Sequence, residues 1–400
     1  MHRVLMEGRS NINSDGSKQT SSEAAVLQLA QSHFSSQALL VAIRLGVLDV
    51  LKVAHDDNAN DVSLTVDEII TKIQDSSSLD INRDALFRCL RLLCTTGVIE
   101  EIINKDSDTS AYVLTEIGRL LQKQPPEVCD DVPSMAPFIL HWAETPLWNA
   151  WAQLPDYVAG KTEDGDKQFD GNIPPFDRAN GMSASDYYYK TSAVSSGSHR
   201  NAVARYASTK EIDSILAVLN ESNFAGKIVC DIGGGYGDLM QATKTSMPNV
   251  EKCYCLDLPD VIEDAKAIDN SDTQDKTVTL VSGDMFDAST IPKCDIIITK
   301  HVLCDFSDDD VVRALQAFHN SLTKDGKVII MDAVLPNGND LNGQWNAAVS
   351  FDVLLMLSGR RGERSKLEWS SLARKAGFVL ESVISTSSVT VDLAVLSIAS

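Results

Sequence analysis

The chain has 400 residues, enough for about two domains. Its 44% hydrophobic and 23% charged residues exclude a largely disordered chain and a disulfide-stapled mini-protein. Lys and Arg number 35 against 56 Asp and Glu, a formal net charge of −21, and neither a nucleic acid nor an anionic membrane is expected as a partner of so acidic a chain.

No stretch approaches the roughly 20 apolar residues of a membrane span. Residues 1–22 are polar, lack the apolar run of a secretory signal and read as a disordered tail. The eight cysteines are scattered without zinc-type CxxC spacing, and Cys253 and Cys255 fall on one face of a strand, so no metal site is expected. Reduced thiols fit a cytoplasmic protein.

Residues 23–125 read as helices closed by a small hairpin. Ala24–Ile43 carries apolar residues at helical spacing, Gly46 interrupts it and Val47–Val53 resumes it. His55–Asp61 reads as a polar loop and Val66–Ile73 as a further helix. Arg83–Thr96 sets Leu86, Leu90 and Leu93 on one side and Arg83, Arg88 and Arg91 on another, with Gly97 placed to end the helix. Val98–Ile103 and Tyr112–Thr115 complete a winged-helix pattern, joined by the polar Asn104–Ser110. Glu100 and Glu101 beside it point to protein interaction rather than DNA. The apolar Val26, Leu29, Leu39 and Leu40 support a homodimer, or packing within the chain itself.

Residues 126–200 read as a helical connector, Pro133–Tyr157, followed by a loop over Gly160–Gly181. Phe138, Trp142, Trp148 and Trp151 in the connector either wall a ligand pocket or belong to a core. Residues 201–400 alternate strand and helix: strands at Lys227–Ile232, Lys252–Asp257, Thr277–Ser282, Asp295–Thr299 and Lys327–Asp332, with helices at Asp238–Thr245, Asp260–Ala267 and Asp308–Leu322. The alternation predicts parallel strands covered by helices, a doubly wound α/β domain.

Three motifs close strands of that sheet. Asp231-Ile232-Gly233-Gly234-Gly235-Tyr236-Gly237 is a strand–turn–helix whose glycines let a ligand approach the backbone. Asp238 stands where a dinucleotide loop needs its last glycine, which disfavours NAD or FAD. A ligand with an amino-acid end fits better, its ammonium facing Asp231. Asp257, in Leu256-Asp257-Leu258-Pro259, follows 26 residues after Asp231, where a carboxylate suits ribose hydroxyls. Asp284 can accept from an exocyclic amine, and Met285 can pack on a flat ring. Together the three read as an adenosine site.

In this order, DIGGGYG, LDLPDVI, GDMF and GERSKLEW resemble the plant-type and bacterial small-molecule O-methyltransferases (caffeate and hydroxyindole types). Ala42–Val47 and Arg88–Leu93 resemble that family's dimerisation domain, and the resemblance runs from about Ala24 to the C-terminus. It implies a winged-helix-like dimerisation domain on a Rossmann-like class I methyltransferase domain. It further implies S-adenosylmethionine as cofactor and a small, hydroxylated, aromatic substrate. On it, Gly233 and its loop hold the methionine part of the cofactor, Asp257 the ribose, and Asp284 and Met285 the adenine, with Asp231, Gly235 and Leu258 as further cofactor-binding candidates. Lys300 stands near the cofactor.

The chain departs from the family at Lys300-His301-Val302-Leu303-Cys304-Asp305, where Cys304 replaces the catalytic histidine. A histidine suits removal of a hydroxyl proton near neutral pH, whereas a thiol, at about 8.5, needs a cationic neighbour to ionise. Asp332 and Glu363 hold the places of acids that orient that histidine in the family; here they either have nothing to orient or serve as the base themselves. Four readings stand open: Cys304 as a thiolate base, His301 or His141 as the base, an acceptor acidic enough to need none, or loss of methyl transfer in favour of a cyclase, isomerase or hydroxylase reaction. A non-enzymatic, cofactor-binding dimer is a further possibility. Trp142, Trp148, Phe351, Asp352 and Met356 are the substrate-binding candidates, expected between the domains.

Overall fold

The computed structural model describes residues 22–52, 63–104, 109–122, 134–143, 145–160, 173–187, 210–268, 277–337 and 346–399. The expected tail and the His55–Asp61 loop lie outside them, apart from Ser22. The chain forms two compact units, 1–144 and 145–400.

In the first unit the helices Ser22–Leu45, Val47–Val50, Val66–Gln74 and Arg83–Cys94 accompany a small antiparallel sheet. Its strands β1 (Leu64–Thr65), β2 (Ile99–Asn104) and β3 (Thr109–Leu114) run in the order β1-β3-β2. Local chemistry sets the helix starts. Thr65 and Glu68 cap each other reciprocally before Val66, and the Asn82 side chain accepts from the Ala85 amide. Leu86, Leu90 and Leu93 are buried as their spacing predicts, and Gly97, at φ 73°, turns the chain into β2. Leu40 is buried and Leu39 packs against this unit's core, whereas Val26 and Leu29 are exposed. The expected apolar face is therefore divided between core and surface.

The second unit opens with the helices Thr145–Ala152 and Leu154–Ala159. Within the stretch expected as a loop, Pro175–Asn180 is instead a helix with Pro175 in its first turn. It buries Phe176, and Asn180 donates to the Pro146 carbonyl at 3.1 Å. A seven-stranded sheet follows: β4 (Ile228–Ile232), β5 (Lys252–Asp257), β6 (Val278–Ser282), β7 (Cys294–Lys300), β8 (Leu322–Asp332), β11 (Phe378–Ser385) and β12 (Asp392–Ile398). The short β9 (Val334–Leu335) and β10 (Arg364–Ser365) pair separately. The sheet order is β11-β12-β8-β7-β4-β5-β6. Strands β4 to β8 pair in parallel as expected, while β12 pairs antiparallel with both β8 and β11, a feature outside the strand–helix alternation.

Alternate residues of the same strands feed two cores. Cys230, Ile232, Ile297, Val328 and Ile330 join one, and Val229, Ile296, Ile298, Ile329 and Met331 the other. Both sheet faces are thus covered, as parallel strands require. The chain steps outward from β4 to β5 and β6, then returns to the other side of β4 with β7. The reversal lies between β4 and β7, where ligands of such sheets bind at the carboxyl ends of the strands. No helix among the described residues is long and apolar enough to cross a membrane.

Candidate active site

The loop after β4 and the segment after β7 meet at that reversal. Gly233 (φ 72°) bends the chain so tightly against the second segment that a Cβ there would fall 2.5 Å from a Val302 methyl. A Cβ on Gly234 would fall 2.7 Å from Asp231 Oδ2 and 2.8 Å from Cys255 Sγ. Gly235 donates its amide to Asp257 Oδ2 at 2.9 Å, and Leu258 donates to Oδ1 at 2.7 Å. Asp257 therefore ties the end of β5 to the loop and keeps spare lone pairs. Leu258 is exposed beside it.

Asp231 is buried, and its Oδ1 has no hydrogen-bond partner among the described residues. Burial pushes its carboxyl up to about 7, against the pull of the Lys300 charge and with a further push from Asp257. An unsatisfied buried carboxylate oxygen under a glycine loop is the chemistry that receives a cationic ligand group. Asp284 is exposed; its amide donates to Thr290 Oγ1 and its Oδ1 accepts from Phe286, both at 2.9 Å. Met285 packs half-buried against the core. These groups fit the amino-acid, ribose and base parts of an adenosyl amino acid. Gly234→Ala is expected to weaken S-adenosylmethionine binding at least tenfold, because the loop must move away from Asp231 and Cys255; isothermal calorimetry reads this directly.

Beyond the loop lies a cluster the sequence only partly disclosed. Cys304, on a short 3-10 turn (Leu303–Asp305), is 3% exposed. Its Sγ and one oxygen each of Asp332 and Glu363 lie within 4.8 Å of one another. Burial, then the negative charges of Asp332, Glu363 and Asp305, drives the thiol well above its ordinary value, and Arg360 only partly offsets them. Cys304 is thus a thiol in this setting, without the cationic dominance a thiolate needs. Burial and the neighbouring Asp332 and Asp352 push Glu363 up to about 9. Burial also raises Asp332, although His301 and Arg364 oppose it. Such a trio has donors for a soft divalent cation, but a proton retained on Glu363 relieves the repulsion equally well. Asp332 Oδ2 and Glu363 Oε2 have no partner among the described residues.

GERSKLEW builds the floor of this cluster. Arg364 is fully buried and donates to the carbonyls of Leu303 and Phe306 at 2.8 and 2.7 Å and to Asp308 at 2.9 Å. Ser365 and Glu368 form a reciprocal cap on the helix Lys366–Lys375, which buries Trp369 beneath Arg364. The substrate candidate Asp352 accepts from the Glu363 amide at 2.9 Å, so the structure gives it a role in shaping the 360–364 turn. Met356 is half-buried on the same helix, Ala347–Leu357. Trp148 is 37% exposed in the second unit. Trp142 and His141 belong to the helix Ala136–Trp142 of the first unit, where Trp142 meets Phe138 edge-on at 5.1 Å.

Two further residues escaped sequence reasoning. Glu211, on a helix over 210–218, accepts from Lys300 Nζ at 3.1 Å, and it pairs with His301 Nε2 at 3.0 Å. Thr390 donates to its Oε1 at 2.5 Å. Burial alone would raise this carboxyl, but His301, Lys300 and Thr390 together hold it down at about 2. The only available signal was a charged residue beside the apolar spacing of Ile212, Ile215 and Leu216, in a helix the sequence did not lead us to expect.

A family model for the O-methyltransferase domain matches residues 151–379, more than half of the chain. The chain belongs to the O-methyltransferase family. A second model, the O-methyltransferase dimerisation domain, matches residues 27–124. The chain is 30% identical to (R,S)-reticuline 7-O-methyltransferase of Papaver somniferum, with 88% of this chain and 90% of that one covered. It is 28% identical to nicotinate N-methyltransferase 1 of Glycine max, with 88% and 89% covered. Among solved structures, mitomycin 7-O-methyltransferase MmcR superposes with a TM-score of 0.69 at 25% identity, over 94% of this chain and 98% of that one. The protein is an S-adenosylmethionine-dependent O-methyltransferase, with the Rossmann-like methyltransferase domain and N-terminal dimerisation domain the sequence led us to expect.

Proposed function

We propose that this O-methyltransferase acts as a cytoplasmic homodimer on a hydroxyl of a small aromatic molecule, with the domain boundaries read from the sequence. The observation that carries the reading is the glycine turn from Asp231 to Gly237, tied to Asp257 and packed against Val302, with the unpartnered buried carboxyl of Asp231 beneath it. The reticuline, myricetin and desmethylxanthohumol methyltransferases among the relatives support an aromatic acceptor. The match to a dimerisation domain and the exposed Val26 and Leu29 support the dimer. The described cysteines are unpaired, in keeping with a reducing compartment.

In this reading the glycine loop and Asp231 take the methionine end of the cofactor. Asp257 and Leu258 take the ribose, Asp284 and Met285 the adenine, and Lys300 lies alongside. S-adenosylmethionine, when bound, supplies an electrophilic methyl group. Glu363, kept neutral, offers a hydrogen-bond donor toward the acceptor, and Asp332 anchors the backbone of His301 at 2.9 Å. Cys304 fills the space of the family histidine as a neutral thiol. Trp142, Trp148, Phe351, Asp352 and Met356 remain the residues proposed to shape the acceptor site.

The test is release of S-adenosylhomocysteine by the purified protein, with phenols, catechols and pyridine carboxylates as acceptors. Methylation of phenolic oxygen is expected, and turnover confined to the pyridine nitrogen would overturn the acceptor assignment. Cys304→Ser is expected to keep kcat within about threefold, since a thiol this far from ionising contributes no base. A loss of a hundredfold or more would make Cys304 part of the chemistry.

A further inference from the structure

His301 is the one non-glycine residue with positive φ (53°) among the described residues. A left-handed backbone is strained in an L-residue, and such strain gathers at working sites. Two contacts hold it: the His301 amide donates to Asp332 Oδ1 at 2.9 Å, and the ring pairs with Glu211 at 3.0 Å. The segment lies at the carboxyl end of β7. Its next residue, Val302, packs against Gly233 of the cofactor loop, and Cys304 follows two residues later.

The Glu211 carboxylate is gripped by three side chains. Lys300 holds Oε2; Thr390, just before β12, and His301 share Oε1. An ionised carboxylate only accepts hydrogen bonds, so His301 Nε2 carries the hydrogen of that contact. In the neutral ring this leaves the Nδ1 lone pair free. Nδ1 makes no hydrogen bond among the described residues, and the side chain is 32% exposed. Lys300 faces the same carboxylate, while Asp332 and Asp305 are the other charged groups near the ring.

We propose that His301 is the proton acceptor of this methyltransferase and Glu211 the residue that positions it, a dyad in place of the histidine that Cys304 displaces. The inference rests on the methyl-transfer reading above. The acceptor O–H bond breaks and its proton goes to Nδ1. The oxygen lone pair forms the new O–CH3 bond, and the electrons of the methyl–sulfur bond return to sulfur. The products are the methyl ether and S-adenosylhomocysteine, and the imidazolium beside Glu211 then gives its proton to water. A carboxylate behind an imidazole fixes the tautomer and stabilises the cation formed.

The test uses the full chain with His301→Gly, which suits the left-handed backbone and so spares the fold. Calorimetry is expected to show S-adenosylmethionine binding within threefold of wild type. With a weakly acidic phenol, kcat is expected to fall about a hundredfold. Free imidazole should restore at least a tenth of the wild-type rate, and the deficit should shrink as the phenol becomes more acidic. Glu211→Ala should lower kcat about tenfold at unchanged KM, and Glu211→Gln, whose amide oxygen can still accept from Nε2–H, should recover most of it. Nitrogen-15 NMR of the ring reads the tautomer independently of turnover, with Nε2–H expected. The inference is overturned by an Nδ1–H tautomer, by wild-type kcat in His301→Gly, or by a loss equal for all phenols and unmoved by imidazole. A wild type that releases no S-adenosylhomocysteine while its ring shows Nε2–H would instead overturn the methyl-transfer reading.

Discussion

Arg364→Met is expected to lower folding stability by about 3–5 kcal/mol, measured by urea denaturation. The guanidinium is fully buried and serves three acceptors: the Leu303 and Phe306 carbonyls and Asp308. Methionine fills much of the volume but takes the only side-chain donor from both carbonyls, leaving Leu303 with just the Phe306 amide at 3.3 Å, at roughly 1–3 kcal/mol each. The Asp308 side chain is 46% exposed and is also bound by Arg361 at 3.1 Å, so it loses little. Asp308→Asn is accordingly expected to cost under about 1 kcal/mol. An effect of Asp308→Asn as large as that of Arg364→Met would show that the ion pair, not the carbonyls, is what Arg364 serves. Because those carbonyls flank Cys304, the same substitution should loosen the turn that carries it.

Glu363→Gln is expected to stabilise the protein at neutral and alkaline pH. Glu363 holds its proton up to about 9 in the folded chain, against an ordinary value of 4.5, chiefly because it is buried and then because Asp332 and Asp352 face it. The unfolded chain therefore releases this proton first as pH rises. The stability tied to it is complete below about pH 4.5 and is lost progressively up to about pH 9. Glutamine has no proton to lose, and its gain at pH 7 is on the order of 3 kcal/mol. The wild-type melting temperature should fall between pH 5 and 9 more steeply than that of the variant. Asp231, also raised by burial, keeps some slope in both. Parallel curves for the two proteins would mean that Glu363 is ionised in the native state.

Much of this was legible from local signals. Strand–helix alternation carried β4 to β8, because each unit buries its own apolar stripe within about 30 residues. The glycine loop was legible because only glycine tolerates the approach to Val302 and Asp231. Asp257 followed from its place at a strand end. The antiparallel insertion of β12 was not legible, since its neighbour β8 is distant in sequence and no local period encodes that pairing. Glu211 was missed for the same reason: its meaning lies in Lys300, His301 and Thr390. The Pro175–Asn180 helix was missed because glycine and proline were read as loop punctuation, although proline belongs in a first helical turn. Burial decided the rest, since the nature of Cys304 depends on which charges surround it.

The position of β12 also bears on how the protein is made. This strand lies between β8 and β11, with Leu393, Ala394 and Leu396 in the core, yet it is the last strand of the sheet to be synthesised. Thr390, at its threshold, reaches a carboxylate 179 residues upstream. Until β12 docks, β8 has an open edge and Glu211 lacks one of its three partners. Closure of this sheet therefore waits on a pairing between strands far apart in sequence, a slow kind of step in folding. During that interval the open edge of β8 is a template on which a strand of another chain can pair.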